Sequence, residues 1–109
     1  MSELNAEDAK IITLARSARA RTNAAEGAAV RDETGRTYSA TSVDLPSLKL
    51  SALQVAVATA VSSGAEDLEA AAVVTAGTPA PPGVTAVRDL GPKAPILVAA
   101  PDGTLRTTL

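Results

Sequence analysis

The side chains that enzymes use for nucleophilic, acid–base or metal chemistry are unevenly represented in this sequence. It contains no histidine and no cysteine, so no imidazole or thiolate can carry a proton, attack a substrate or bind a soft metal ion. Twelve Asp and Glu side chains, ten Lys and Arg side chains and the hydroxyls remain. Every mechanism that needs histidine or cysteine is therefore excluded, whereas carboxylate and Ser/Lys chemistry stay open.

Two groups of the remaining residues invite a catalytic interpretation. Ser51 could act as a nucleophile, but the only base close to it in sequence is Lys49. Glu66, Asp67 and Glu69 could ligate Mg²⁺, although a solvated turn before a strand explains their spacing better. The glycines do not form a phosphate-binding pattern. An enzyme with unrelated carboxylate or Ser/Lys chemistry is thus kept only as the third hypothesis.

The charge pattern argues against nucleic acid and membranes as partners. The net charge is −2, and Tyr38 is the only aromatic residue, so neither a basic surface nor stacking side chains are available. Arg16, Arg19 and Arg21 fit the outer, charged face of a helix. No apolar run approaches the length of a membrane span, and the first ten residues lack the pattern of a secretory signal. We expect a cytoplasmic protein.

Apolar periodicity predicts the elements that must position these groups. Asn5 or Ser2 could cap a first helix, and Gly64 lies where the second helix should stop. The pattern predicts a single domain, residues 1–109, with a three-layer α/β/α fold and a mixed five-stranded sheet. The predicted order is helix 5–21, strands 27–31 and 36–41, helix 48–61, strand 68–75, a Pro-rich loop 77–82 leading to a further loop or short helix, and strands 95–99 and 104–109.

The second predicted helix carries apolar residues on nearly every side. Such a helix should be buried all round, which one sheet face cannot achieve alone. The core is also poor in aromatic residues, so an isolated chain of 109 residues would bury little apolar surface per side chain. These features predict a homo-oligomer.

Several local strings, in this order of elements, are shared with one enzyme family. They are residues 27–32 (GAAVRD) followed by 35–38 (GRTY), residues 51–56 (SALQVA), and residues 101–104 (PDGT) near the end. Through them the chain resembles the small homotetrameric cytidine deaminases over roughly residues 8–109. The resemblance implies a cytidine deaminase-like fold and favours a tetramer.

The chemistry of the resembled family depends on four side chains that are replaced here. Zinc deaminases hold their metal with three Cys or His ligands, and a nearby Glu moves protons. The resemblance places Ser51 at the first ligand, Leu53 at the Glu, and Pro82 and Thr85 at the other two ligands, the last two in a segment that is shortened. It therefore implies no catalytic residue, no metal ligand and no cofactor.

The nucleoside-binding positions of the family are weakly matched. Ser42 and Asp44 stand where the resemblance places contacts to the ribose, and both can form hydrogen bonds to a sugar hydroxyl. Asp44 can equally be a solvated loop carboxylate beside Pro46. The aromatic residue that lines the base pocket in the family is absent from residues 23–26.

We expect a catalytically inactive, cytidine deaminase-like protein that serves as an oligomeric scaffold or as the regulator of an unknown protein partner. The alternative is a non-catalytic module that still binds a nucleoside or nucleotide.

Overall fold

The chain folds around a mixed five-stranded sheet, described for residues 4–109 by a computed structural model. The sheet has the order β2-β1-β5-β6-β7, in which only β5 and β6 run parallel. This arrangement confirms the predicted fold class. The elements are α1 (Ala6–Thr22), β1 (Glu26–Asp32), β2 (Thr37–Thr41), β3 (Val43–Leu45), β4 (Leu48–Leu50), α2 (Ala52–Ser62), β5 (Leu68–Thr75), α3 (Pro81–Leu90), β6 (Ile96–Ala99) and β7 (Leu105–Thr108).

Helices cover both faces of the sheet and divide its apolar side chains into two cores. Along β1, Ala28 and Val30 point towards α2, whereas Ala29 points towards α1. Every residue of β1 is buried, because both faces of the strand are covered. This explains why the middle of the strand, residues 27–30, reads as an apolar run rather than as an alternation.

The helix α1 is fixed at both ends and pressed against β1. The side chain of Asn5 accepts a hydrogen bond from the N–H of Asp8 at 2.8 Å, while the other predicted cap, Ser2, lies outside the described residues. Asn23 ends the helix in the left-handed region at φ 53°. A Cβ on Gly27 would lie 2.0 Å from the carbonyl oxygen of Ala15, so only glycine permits this close approach.

The turn of the β1–β2 hairpin is organised by one buried carboxylate. Asp32 accepts hydrogen bonds from the N–H and hydroxyl of Thr34, from the N–H of Arg36 and, at 2.9 Å, from the hydroxyl of Tyr38. Burial opposes ionisation, but these hydrogen bonds outweigh it and hold the pKa of Asp32 below its ordinary value. The same contact with Asp32 raises the pKa of Tyr38. The carboxylate thus has a structural role.

The second helix differs from its prediction at its start and on one face. Residues 48–50 form β4, which pairs with β3 in a separate hairpin, and the helix begins at Ala52. Ala58 is exposed and Val61 is 52% exposed, so in the single chain α2 is not buried all round. Within residues 4–109, no helix is both long enough and apolar enough to cross a membrane.

Candidate functional site

The first turn of α2 is capped by hydrogen bonds between neighbouring residues of the chain. Ser51 precedes the helix, and its Oγ accepts the N–H of Gln54 at 3.2 Å. The side chain of Gln54 accepts the N–H of Ser51 in return, at 2.9 Å. This reciprocal capping box follows from the S-x-x-Q pattern of residues 51–54. The hydroxyl at the predicted first ligand position therefore serves as a helix cap.

Leu53, at the predicted proton-carrier position, belongs to the core. Its side chain is 1% exposed and lies in the same apolar cluster as Ala28 and Val73 of the sheet. An isobutyl group exchanges no proton and offers no lone pair. Apolar contacts therefore occupy the place where a carboxylate would have to act.

The first turn of α3 packs directly on the first turn of α2. A Cβ built on Gly83 would lie 2.6 Å from Oγ of Ser51 and 2.9 Å from Cβ of Leu53, so the backbone of α3 occupies this space. We call the contact of Ser51, Leu53 and Gly83 the helix-start junction. It brings together the two chain segments that the resemblance assigned to the metal site.

The other two predicted ligand positions flank the junction without filling it. Pro82 is the residue before Gly83 and is exposed. Thr85 is also exposed, and its hydroxyl donates to the carbonyl oxygen of Pro81 at 3.1 Å within the same helix. Gly83 is thus the residue of α3 that meets Ser51, and the exposed side chains of Pro82 and Thr85 lie outside this contact.

The loop that leads to α3 is held by an arginine from the edge of the sheet. Arg106 on β7 donates from its two terminal nitrogens to the carbonyl oxygens of Thr75 at 3.0 Å and Gly77 at 2.9 Å. Arg106 was absent from the predicted site because a lone arginine in a terminal strand carries no sequence signal. It is a positioning residue for the approach to the junction.

A buried carboxylate, which the sequence analysis also missed, stands beside the junction. Glu26 begins β1, is 9% exposed, and its Oε1 accepts the N–H of Ala52 at a long 3.5 Å. Ser42 lies next to it, since its Oγ accepts the N–H of Glu26 at 3.3 Å. Ser42, one of the two predicted nucleoside contacts, therefore borders the junction.

Asp44, the second predicted nucleoside contact, lies in a different environment. Its carboxylate is 82% exposed on the β3–β4 hairpin and pairs with Lys49 at 2.8 Å. An exposed pair of this kind contributes little to stability. It also leaves Lys49, the only base near Ser51 in sequence, paired on the outside of the hairpin.

The other charged candidates have structural partners. Glu69 pairs with the buried guanidinium of Arg31 at 2.8 Å, and Asp8 of α1 pairs with it at 3.1 Å. Burial alone would lower the pKa of Arg31, but the hydrogen bonds that it donates to Glu69 and Asp8 outweigh this effect and raise the pKa above its ordinary value. Asp67 caps the N–H of Leu68 at 2.8 Å. Across residues 4–109 no three Asp or Glu side chains are placed to hold a metal ion.

The residues at the helix-start junction do not fit a catalytic zinc ion. Zinc requires thiolate, imidazole or carboxylate donors. The four assigned positions offer one leucine, one proline and the hydroxyls of Ser51 and Thr85, each of which already forms a hydrogen bond within its own helix start. The backbone of α3 comes so close to Ser51 and Leu53 that a Cβ at Gly83 would overlap both side chains.

Comparison with known proteins assigns the family. A sequence model described as cytidine deaminase-like matches residues 4–103. The chain belongs to the cytidine deaminase-like family. No curated protein matches this chain by sequence.

Solved structures of cytidine deaminases share its fold. The enzyme from Burkholderia pseudomallei superposes with a TM-score of 0.80, at 23% identity over 92% of this chain and 89% of that one. The enzyme from Mycobacterium leprae gives 0.70, at 20% identity over 96% and 94%. The enzyme from Mycobacterium tuberculosis gives 0.69, at 24% identity over 89% and 86%. At these identities the likeness establishes the architecture, and the chemistry has to be argued from the residues.

Proposed function

We propose that this member of the cytidine deaminase-like family is catalytically inactive and acts as an oligomeric scaffold or regulator. The observation that carries the proposal is the chemistry at the four positions that the resemblance assigns to the metal ligands and the proton carrier. Ser51 caps α2 and Leu53 is buried in the apolar core. Pro82 and Thr85 offer neither a thiolate nor an imidazole. In zinc deaminases, the metal supplies the hydroxide that attacks the base, and a carboxylate moves the protons. Neither function has a side chain at these four positions.

Restoring the family's residues tests whether the junction corresponds to the former metal site. Leu53→Glu alone is expected to create no activity, because one carboxylate supplies neither metal nor hydroxide. The variant that combines Ser51→Cys, Leu53→Glu, Pro82→Cys and Thr85→Cys is expected to take up zinc. Elemental analysis measures this directly. Refusal of zinc by a folded quadruple variant would contradict the assignment of Pro82 and Thr85.

The oligomeric part of the proposal is supported by apolar surface that the single chain leaves uncovered. Val61 on α2 is 52% exposed, and Leu45 and Leu48 on the β3–β4 hairpin are 54% and 47% exposed. Burying leucine and valine side chains that are exposed to this extent would stabilise an assembly, because it removes apolar surface from water. A second copy of this chain is the partner that we propose, in a closed, symmetric tetramer.

Sedimentation equilibrium at micromolar concentration tests the assembly. Four chains of 10.9 kDa should give about 44 kDa. Ala58→Glu places a charge on the exposed face of α2 and is expected to dissociate the assembly without unfolding the chain. Ala20→Glu, at an exposed position of α1, is the matched control and should keep the mass. A folded monomer near 11 kDa for the unmodified chain would contradict the proposal.

Retained nucleoside binding is the second candidate, favoured by the position of Ser42 beside the buried Glu26. A thermal-shift series with cytidine, uridine, deoxycytidine and their nucleotides separates it from a pure scaffold. Ligand at about 100 times its Kd adds roughly 2.7 kcal/mol, which raises the melting temperature visibly. A shift with any nucleoside would favour the binding module, and no shift with all of them would contradict it.

A further inference from the structure

Among residues 4–109, Glu26 is the carboxylate that accepts a hydrogen bond from the first turn of α2, on the side of the sheet that α2 covers. It shares the side of β1 that carries Ala28 and Val30, which pack against α2. Only 9% of its surface is exposed. No arginine or lysine pairs with it, since the ion pairs within residues 4–109 join Arg31 to Asp8 and Glu69, and Lys49 to Asp44. A buried carboxylate without a cation is costly unless other groups stabilise it.

The stabilisation supplied by the chain is partial. Oε1 receives one hydrogen bond, the 3.5 Å contact from the N–H of Ala52, and the positive end of α2 favours a negative charge here. Oε2 receives none from residues 4–109. Oε2 is not among the fully buried side-chain atoms without a partner in that range, of which Arg31 Nη1 is one, so it contributes to the 9% of Glu26 that is exposed. The carboxylate therefore presents unused acceptor positions to a ligand from outside.

Two residues that carry hydroxyl groups neighbour Glu26 in the sheet. Ser42 Oγ lies next to the backbone of Glu26, at 3.3 Å from its N–H. Thr75, 5% exposed, is the direct partner of Glu26 across the β1–β5 ladder, so both side chains lie on the same face of the sheet. Each hydroxyl can accept a further hydrogen bond. The group combines one negative charge with two neutral acceptors.

We propose that Glu26, Ser42 and Thr75 form a binding site for a small nitrogen cation of the amidinium or guanidinium type. Such a planar cation offers adjacent N–H donors that match the two oxygens of a carboxylate, and its remaining N–H groups can reach the hydroxyls. Mg²⁺ or Ca²⁺ fits less well, because each needs six or more oxygen ligands and the site offers one carboxylate. The site shares Ser42 with the candidate nucleoside contact, but none of its three residues belongs to the family's metal centre, so it does not depend on the proposed lack of catalysis.

A titration followed by ¹⁵N–¹H correlation spectra tests the site on the full chain. Acetamidinium is the probe, and acetamide, which has almost the same shape and no charge, is the matched control at equal ionic strength. The reporter is the amide of Ala52, because it donates to Glu26. Acetamidinium is expected to move this signal saturably, and acetamide to bind at least about tenfold more weakly.

Two variants complete the test. Glu26→Gln keeps the shape and removes the charge, and should weaken acetamidinium binding at least about tenfold. Glu66→Gln, at an exposed position, should bind as the unmodified chain does. An unmoved Ala52 signal, equal binding of acetamide, or undiminished binding by a folded Glu26→Gln variant would each overturn the site. If Glu26→Gln does not fold, the comparison of the two probes still decides. The zinc and turnover assays are unaffected by any of these outcomes, so the failure of one proposal is distinguishable from that of the other.

Discussion

Replacing Gly83 by alanine perturbs the helix-start junction by a single methyl group. The added Cβ would lie 2.6 Å from Oγ of Ser51 and 2.9 Å from Cβ of Leu53. Neither neighbour is the free end of a long side chain, since Ser51 is fixed by the capping box and Leu53 is buried in the core. The two helices must therefore move apart, or the cap must break.

The expected magnitude is a balance of two effects. Overpacking of a filled contact costs about 1–3 kcal/mol. Alanine recovers up to about 1 kcal/mol of helix propensity relative to glycine, although less at the third position of a helix than in its middle. Gly83→Ala should thus destabilise the chain by about 1–2 kcal/mol. For a domain of this size, each kcal/mol lowers the melting temperature by about 4–8 °C.

Thermal and urea unfolding of matched variants measure this effect. Gly77→Ala is the control, because Gly77 is exposed and no atom lies within 4 Å of its added Cβ. It should be neutral or stabilising by up to about 1 kcal/mol. In a double-mutant cycle, Ser51→Ala should relieve part of the cost of Gly83→Ala, so that the two changes are not additive. If Gly83→Ala is as harmless as Gly77→Ala, the close packing described for the junction is wrong.

The hairpin turn gives two predictions about pH. Because hydrogen bonds lower the pKa of Asp32, its contribution to stability is present above the ordinary value of 3.8 and is lost as the pH falls through the lower folded value. Asp32→Asn should cost about 1–3 kcal/mol at pH 7 and flatten the acid side of the melting profile; an unchanged acid slope would count against it. Because Asp32 raises the pKa of Tyr38, that contribution is present below pH 10.0 and is lost as the pH rises through the raised value. Tyr38→Phe should remove this alkaline loss in the same melting series, and a loss that persists in the variant must come from another group.

Sequence periodicity predicted the parts of the fold in which local pattern and tertiary burial agree. The strand at 68–75 is apolar on both sides and matches β5, and Asn5 caps α1 as its residue type indicates. The prediction started the second helix at residue 48 because the apolar spacing is continuous there. The structure makes residues 48–50 a strand, since the Pro46-Ser47 turn folds them back on β3. That turn lacks the Asn-Gly or Asp-Gly signature of a hairpin.

The remaining differences arise where a contact between distant segments decides the outcome. Residues 81–83 are two prolines and a glycine, which read as a loop, yet prolines are tolerated in the first turn of a helix and α3 begins there. The apolar surface of α2 was expected to be buried, but one side of the helix faces solvent in the single chain. Glu26 gave no signal as a site residue, because its burial depends on the pairing of β1 with β5.

At the candidate site, the sequence was sufficient for chemistry that depends on residue type alone. The absence of histidine and cysteine and the identities of Ser51 and Leu53 could be read directly. The close approach of Gly83 to Ser51 and Leu53 could not be predicted from the sequence. It depends on contact between the first turns of two helices that are separated along the chain by β5.

Metal content and cytidine turnover of the unmodified chain together test the central claim most directly. The protein is purified without chelator in the presence of zinc, analysed for zinc per chain, and assayed for the absorbance change from cytidine to uridine. A site with Ser51, Leu53, Pro82 and Thr85 at the positions of the ligands and the proton carrier predicts no stoichiometric zinc and no turnover above the rate of buffer alone. One equivalent of zinc per chain with measurable deamination would contradict it.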